Sequence, residues 1–171
     1  MPKVALTGDI QQMYRMVELS PEERNFQRIL WRWEETGTID EYTLNTVTYG
    51  TKAASYLSTK CVQKLLEQFA DRFPEATKKV SKGIYVDDIL TGADSACEAQ
   101  ELRRQMSEIL ESGGFHLRKF ASNCSQALEG VPEADLEVKI LIELNDRDII
   151  KTLGIHWQPC SDEILFSYQP H

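Results

Sequence analysis

Tyr85-Val86-Asp87-Asp88 interrupts an apolar stretch that runs from Lys82 to Leu90, and the reading of this stretch decides the fold. It reads as two short strands joined at an acidic turn. Successive strand residues point to opposite faces, so both aspartates reach one site only if the pair sits at the turn, where alternation breaks down. Two negative charges there repel each other, which favours a cation between them. Aspartate is also a good turn former, and a solvated acidic turn is the plain alternative. A third carboxylate gives the pair its weight. Val4-Ala5-Leu6-Thr7 reads as a strand delivering Asp9 at its end, although Asp9 by itself reads as a cap or turn residue. Three carboxylates from two strand ends suffice for two hard divalent ions, which hold the attacking and leaving oxygens of a phosphoryl or nucleotidyl transfer.

Two helices flank the acidic turn. Ala53 to Phe73 carries apolar residues at Leu57, Cys61, Leu65, Leu66 and Phe69, a helical period, and Pro74 ends it. Ser95-Ala96-Cys97-Glu98 is a capping box opening a second helix whose buried stripe is Leu102, Met106, Ile109 and Leu110, stopped by Gly113-Gly114. Phe115 to Phe120 follows as a strand. Nearer the N-terminus, Ser20-Pro21-Glu22-Glu23 is a helix start. Phe26 to Trp33 suits a strand or a continuing helix, and beyond Gly37 the segment Tyr42 to Tyr49 reads as a returning strand. Thr152 to Trp157 and Ile164 to Tyr168 pair as a hairpin. Antiparallel strands mixed with two long helices give an α+β class.

Composition bounds the rest. A chain of 171 residues, 42% hydrophobic and 27% charged, is about one ordered domain. It has no apolar run of about 18 residues and no signal-peptide core, so the expectation is no membrane partner and an intracellular, cytoplasmic or nuclear, setting. Cys61, Cys97, Cys124 and Cys160 form no zinc pattern and read as free thiols. The net charge of −8 alone argues against a nucleic-acid surface, but six of the eight excess negatives fall in residues 121–171. His116 and His156 read as strand residues, and Trp31, Trp33 and Trp157 as core residues.

In this order the motifs resemble the reverse transcriptases of long-terminal-repeat retroelements, and most closely those of Bel/Pao-type retrotransposons. Leu6-Thr7-Gly8-Asp9-Ile10 with Tyr14 is similar to the first polymerase motif. The resemblance makes Asp9 a metal ligand, with Ile10 lending its carbonyl and Tyr14 blocking a ribose 2′-hydroxyl. Arg28-Ile29-Leu30-Trp31-Arg32 resembles a strand of Bel/Pao elements, which decides Phe26 to Trp33 in favour of strand. Val47-Thr48-Tyr49-Gly50-Thr51-Lys52 resembles the loop that contacts the incoming nucleotide, implicating Tyr49, Gly50 and Lys52. Family members usually carry Ser-Pro where this chain has Ala54-Ser55. Tyr85-Val86-Asp87-Asp88 is similar to the catalytic hairpin, making Asp87 and Asp88 metal ligands. Gly114 to Phe120 resembles the motif whose basic residue protonates the leaving pyrophosphate. Lys119 takes that role and Arg118 is the fallback, since arginine is a poor proton donor. Leu153-Gly154-Ile155-His156-Trp157 resembles the primer grip, which implicates Leu153, Gly154 and Trp157, and Asp162 to Phe166 resembles its Bel/Pao continuation.

The resemblance implies a polymerase palm over residues 1–171, a single domain in which an antiparallel sheet is backed by the two long helices, with a small fingers-proximal hairpin at about 26–49. The fingers N-terminus, thumb and RNase H are expected to be absent. The implied cofactor is Mg2+, two ions, with Mn2+ as a substitute. The implied partners are an RNA or DNA template with primer, a deoxynucleoside triphosphate, and the remainder of a retroelement polyprotein where one is made. The alternative is a catalytically inactive retroelement-derived fragment with a structural or partner-binding role.

Overall fold

Val4 to Ile10, which delivers Asp9, becomes the central strand of the main sheet in a computed structural model that describes residues 2–137, 149–152 and 155–165. In chain order the elements are β1 (Val4–Ile10), α1 (Pro21–Arg24), β2 (Arg28–Trp31), β3 (Asp40–Thr43), α2 (Ala54–Gln68) and α3 (Pro74–Gly83). They continue with β4 (Ile84–Tyr85), β5 (Asp88–Ala93), α4 (Ala96–Ser112), β6 (Leu117–Ser122), β7 (Ile150–Thr152), β8 (Ile155–Gln158) and β9 (Glu163–Leu165). This is a mixed α+β fold. It divides into two compact units, one of Met1–Gln11 with Leu65–His171 and one of Gln12–Lys64.

In the first unit the sheet order is β4-β5-β1-β6, with every neighbouring pair antiparallel. Pleating sorts the residues of β1 onto two faces. Val4, Leu6 and Ile10 share one face with Ile89, the register partner of Gly8, and Leu117, the partner of Ile10. Helices α3 and α4 pack there, burying Ala76, Thr77 and Val80 from one and Ala99, Leu102, Met106, Ile109 and Leu110 from the other. Each large apolar side chain fully buried in this layer, such as Leu6, Ile10, Ile89 or Met106, contributes about 1.5–3 kcal/mol. The opposite face presents Ala5, Thr7 and Asp9 beside their partners Gly92, Leu90 and Asp88. Its Ala5 end is covered by the three-stranded sheet β7-β8-β9, where Ile150 and Trp157 pack with Ala121 and Ala5.

Local chemistry fixes the helix ends. Ser95 caps α4 by accepting from the Glu98 N–H at 3.3 Å, and the Glu98 carboxylate accepts from the Asp94 N–H at 3.1 Å. At the end of α3, Gly83 lies so close to β5 that a Cβ there would sit 1.9 Å from the Leu90 carbonyl oxygen.

In the second unit Met13, Val17, Val47, Ala54, Ser58 and Val62 are buried, and the Val47 N–H donates to the Val17 carbonyl at 2.9 Å. The hairpin of β2 and β3, with Trp31 opposite Asp40, is exposed along its whole length.

Several expectations change. Pro74 does not simply end a helix: α2 stops at Gln68, and Pro74 opens α3, where its fixed φ and missing N–H suit the first helical position. The buried line of α2 is Ala54, Ser58, Val62 and Leu66, whereas Leu57 and Cys61 are exposed. Trp31 and Trp33 are not core residues. They are 51% and 79% exposed, because a two-stranded hairpin offers them no opposing layer. They meet each other edge to face at 6.1 Å, and the Trp33 indole N–H donates to the Tyr42 hydroxyl at 3.0 Å. Trp157 is buried as expected. The expected C-terminal hairpin is β8 paired with β9, but Thr152 belongs to a separate strand, β7, that pairs with β8, and Phe166 to Tyr168 lie outside the described residues.

Candidate active site

The two aspartates at the strand ends are brought face to face. Asp9 of β1 is the direct cross-strand partner of Asp88 of β5. The Ile10 N–H donates to the Asp87 carbonyl at 2.7 Å, so the bonded positions are Ile10 and Asp87. Antiparallel pairs alternate, which makes Asp9 and Asp88 a non-hydrogen-bonded pair, the class with Cα atoms only about 4.5 Å apart and side chains closest. Tyr85 pairs with Asp88, leaving Val86 and Asp87 as a two-residue turn. Val86 has φ 57°, a region that suits glycine and strains a β-branched residue. Such strain costs about 1–3 kcal/mol and is sustained only where the surroundings over-determine it.

On the other side of β1 the register slips. Thr7 pairs with Ala121 and Asp9 with Arg118, so Gly8 alone faces both Lys119 and Phe120. Lys119 takes up the extra residue with φ 52°. In an unbroken strand Arg118 and Lys119 point to opposite faces; a bulge re-aims the side chains around it. Here both reach Asp9. Arg118 Nε lies 3.2 Å from Asp9 Oδ1, and Lys119 Nζ lies 3.7 Å from Asp9 Oδ2. The Asp9 side chain is 16% exposed, against 36% for Arg118 and 47% for Lys119. The like charges of Asp9 and Asp88 are thus offset by two cations of the same chain.

Against this geometry, the sequence profile of the reverse transcriptase (RNA-dependent DNA polymerase) family matches residues 1–156. The chain belongs to that family. No curated protein matches it.

Reverse transcriptases are nucleotidyltransferases that generally use Mg2+, and the donors here suit such an ion. Hard cations take oxygen ligands, commonly one or two carboxylates completed by substrate phosphates and water. The opposed Asp9 and Asp88 are two such carboxylates on one face. Among the described residues no three His, Cys, Asp or Glu side chains gather closely enough to hold an ion by themselves. Asp87 is half-buried at the second turn position, fixed through its carbonyl to Ile10.

The other candidates of this reverse transcriptase chain are placed as follows. In the second unit the Tyr14 hydroxyl is 2.8 Å from Ser55 Oγ, and its ring meets Tyr49 edge to face at 4.8 Å. Ser55 was not singled out as a contact by sequence reasoning. Gly50 has φ 82°, and Lys52 is exposed in the turn before α2. Leu153 and Gly154 lie outside the described residues. Trp157 donates its indole N–H to Asp162 Oδ1 at 3.0 Å. His116 Nε2 lies 2.7 Å from Asp135 Oδ1, a contact with no signal in the sequence. Among the described residues no helix is long and apolar enough to cross a membrane.

Proposed function

We propose that this chain is the palm of an RNA-directed DNA polymerase of a Bel/Pao-type retroelement. It transfers the nucleotidyl group of a deoxynucleoside triphosphate to a primer 3′-hydroxyl on an RNA or DNA template inside the cell, releasing pyrophosphate. The carrying observation is the Asp9–Asp88 pair on one face of the sheet, with Lys119 and Arg118 aimed at the same point. Support for the Bel/Pao class is the sequence alone, in Arg28 to Arg32 and Asp162 to Phe166.

Asp9 and Asp88 would hold the divalent ions, and the Asp87 carboxylate and the Ile10 carbonyl would join them from the turn and the strand end. When bound, Mg2+ or Mn2+ supplies charge neutralisation at the attacking and leaving oxygens. Lys119 gives its Nζ proton to the leaving pyrophosphate, and its place beside Asp9 supports that role. Tyr14, held by Ser55 and Tyr49, excludes a ribose 2′-hydroxyl, while Gly50 and Lys52 belong to the nucleotide loop. The sheet containing Trp157 lies on the carboxylate face, which suits a grip on the primer end.

The test is primer extension on an RNA template with Mg2+, using the chain alone and the chain extended by its flanking coding sequence. Template-directed incorporation that falls by about 100-fold or more in Asp9→Asn and Asp88→Asn supports the reading. Incorporation by neither form sinks it and leaves the inactive-fragment alternative, whereas equal incorporation by the variants overturns the assignment of Asp9 and Asp88 to the chemistry.

A further inference from the structure

The bulge in β6 places two cations of the chain on the one carboxylate that the proposed chemistry most needs. An ordinary strand gives Asp9 one neighbour from this side of the sheet, and it is the register slip opposite Gly8 that supplies the second. Each Asp9 oxygen has its own partner, Arg118 Nε at Oδ1 and Lys119 Nζ at Oδ2. The two partners differ in kind. Lysine carries a flexible point charge on a rotatable stem, whereas the planar guanidinium fixes the carboxylate in direction as well as in charge. Arg118 is directly paired with Asp9 across the strands and is the less exposed of the two cations.

We infer that Arg118 is a positioning residue that orients the Asp9 carboxylate and competes with divalent cations for it, so that it sets the cation concentration at which the site loads. This rests on the reading of Asp9 as a cation ligand. An ion at Asp9 would find Oδ1 already engaged by the guanidinium and would meet its positive charge, both of which would weaken its binding. Loading of the site would require Arg118 to release Asp9 Oδ1. Because Arg118 is partly exposed, the released guanidinium has room to turn towards solvent or towards a substrate phosphate.

The experiment is Mn2+ binding to the whole chain without nucleotide, followed by electron paramagnetic resonance of the free ion, for the parent, Arg118→Gln, Arg118→Lys, Lys119→Gln and Asp9→Asn. Removing Arg118 is expected to tighten Mn2+ binding about three- to fivefold, the scale of a partly exposed ion pair. Arg118→Lys restores the charge and returns most of the parent's weaker affinity. Lys119→Gln shifts affinity in the same direction by less, and it carries the test should Arg118→Gln fail to fold. Unchanged or weaker binding in Arg118→Gln, or in Lys119→Gln should that chain fail to fold, with binding still lost in Asp9→Asn, overturns the role of Arg118 and leaves the cation site standing. Unaltered binding in Asp9→Asn overturns the cation site and this inference together.

Discussion

Gly83→Ala separates what local propensity favours from what the fold tolerates. Gly83 is the last residue of α3, and alanine is the better helix former by up to about 1 kcal/mol, so propensity alone predicts a gain. The structure predicts a loss. The new Cβ would stand 1.9 Å from the Leu90 carbonyl oxygen and 3.0 Å from its carbon, both backbone atoms of β5. Real Cβ atoms keep at least 3.0 Å from such neighbours, so α3 and β5 must part by about 1.1 Å, the difference of the two distances. Overpacking of this kind costs about 1–3 kcal/mol, and a clash with backbone rather than a flexible side chain belongs at the upper end. Less the small helix gain, the net loss is about 2 kcal/mol, or roughly 4–8 °C in Tm for a chain of this size. Leu90 lies two residues beyond Asp88 on the same strand, so the displacement also reaches the carboxylate pair. Misplacement by about 1 Å at a reacting centre can cost about 100-fold in rate. Urea or thermal unfolding of Gly83→Ala beside the exposed control Lys82→Ala measures the first effect, and primer extension the second. A Gly83→Ala chain as stable as its parent would refute the close approach of α3 to β5.

Three further outcomes are expected. Trp157→Ala should lose about 3–5 kcal/mol in urea unfolding, the cost of emptying a buried indole site, whereas Trp157→Phe should lose much less, chiefly the bond to Asp162. Ser58→Ala should raise stability by about 1 kcal/mol, because the buried Ser58 hydroxyl finds no hydrogen-bond partner among the described residues; a loss would show that the hydroxyl is satisfied. Glu101 is held down to about 2, from an ordinary 4.5, by hydrogen bonds from Arg104 and Gln105 and by the charge of Arg104. A depressed carboxylate stabilises the fold above its unfolded value, and that contribution fades as pH falls from about 4.5 through about 2. Carboxyl NMR titration should find Glu101 well below its ordinary range in the parent and near it in Arg104→Gln.

How much the sequence discloses depends on how strongly each residue advertises its place. Asp87-Asp88 inside an apolar run marks a turn by contrast, and the buried stripe of α4 is legible because Leu102, Met106, Ile109 and Leu110 are large and spaced by three or four. The face of α2 is misread for the converse reason. Its buried line is built partly of Ala54 and Ser58, which signal little, while the larger Leu57 and Cys61 beside them face solvent. The same weakness hides α3, whose buried residues are Ala76, Thr77 and Val80 among lysines. Size and apolarity put Trp31 and Trp33 in a core, but burial needs an opposing layer, and that is a tertiary fact. At the candidate site the aspartates are visible in sequence, whereas the slip that aims both Arg118 and Lys119 at Asp9 is not. It arises from the count of residues between paired positions on two strands, and no residue type marks it.

The three tryptophans have an optical consequence. Two stand exposed on the β2–β3 hairpin, at 51% and 79%, and the third is buried under the main sheet at 7%. Indoles in water emit at longer wavelength and are open to iodide, while a shielded indole emits further to the blue and resists quenching. The chain therefore carries two separable fluorophore classes without any label. In a Trp31→Phe, Trp33→Phe variant the remaining emission reports the seating of β8 alone, and added oligonucleotide, cation or denaturant can be followed at the sheet that flanks the carboxylates.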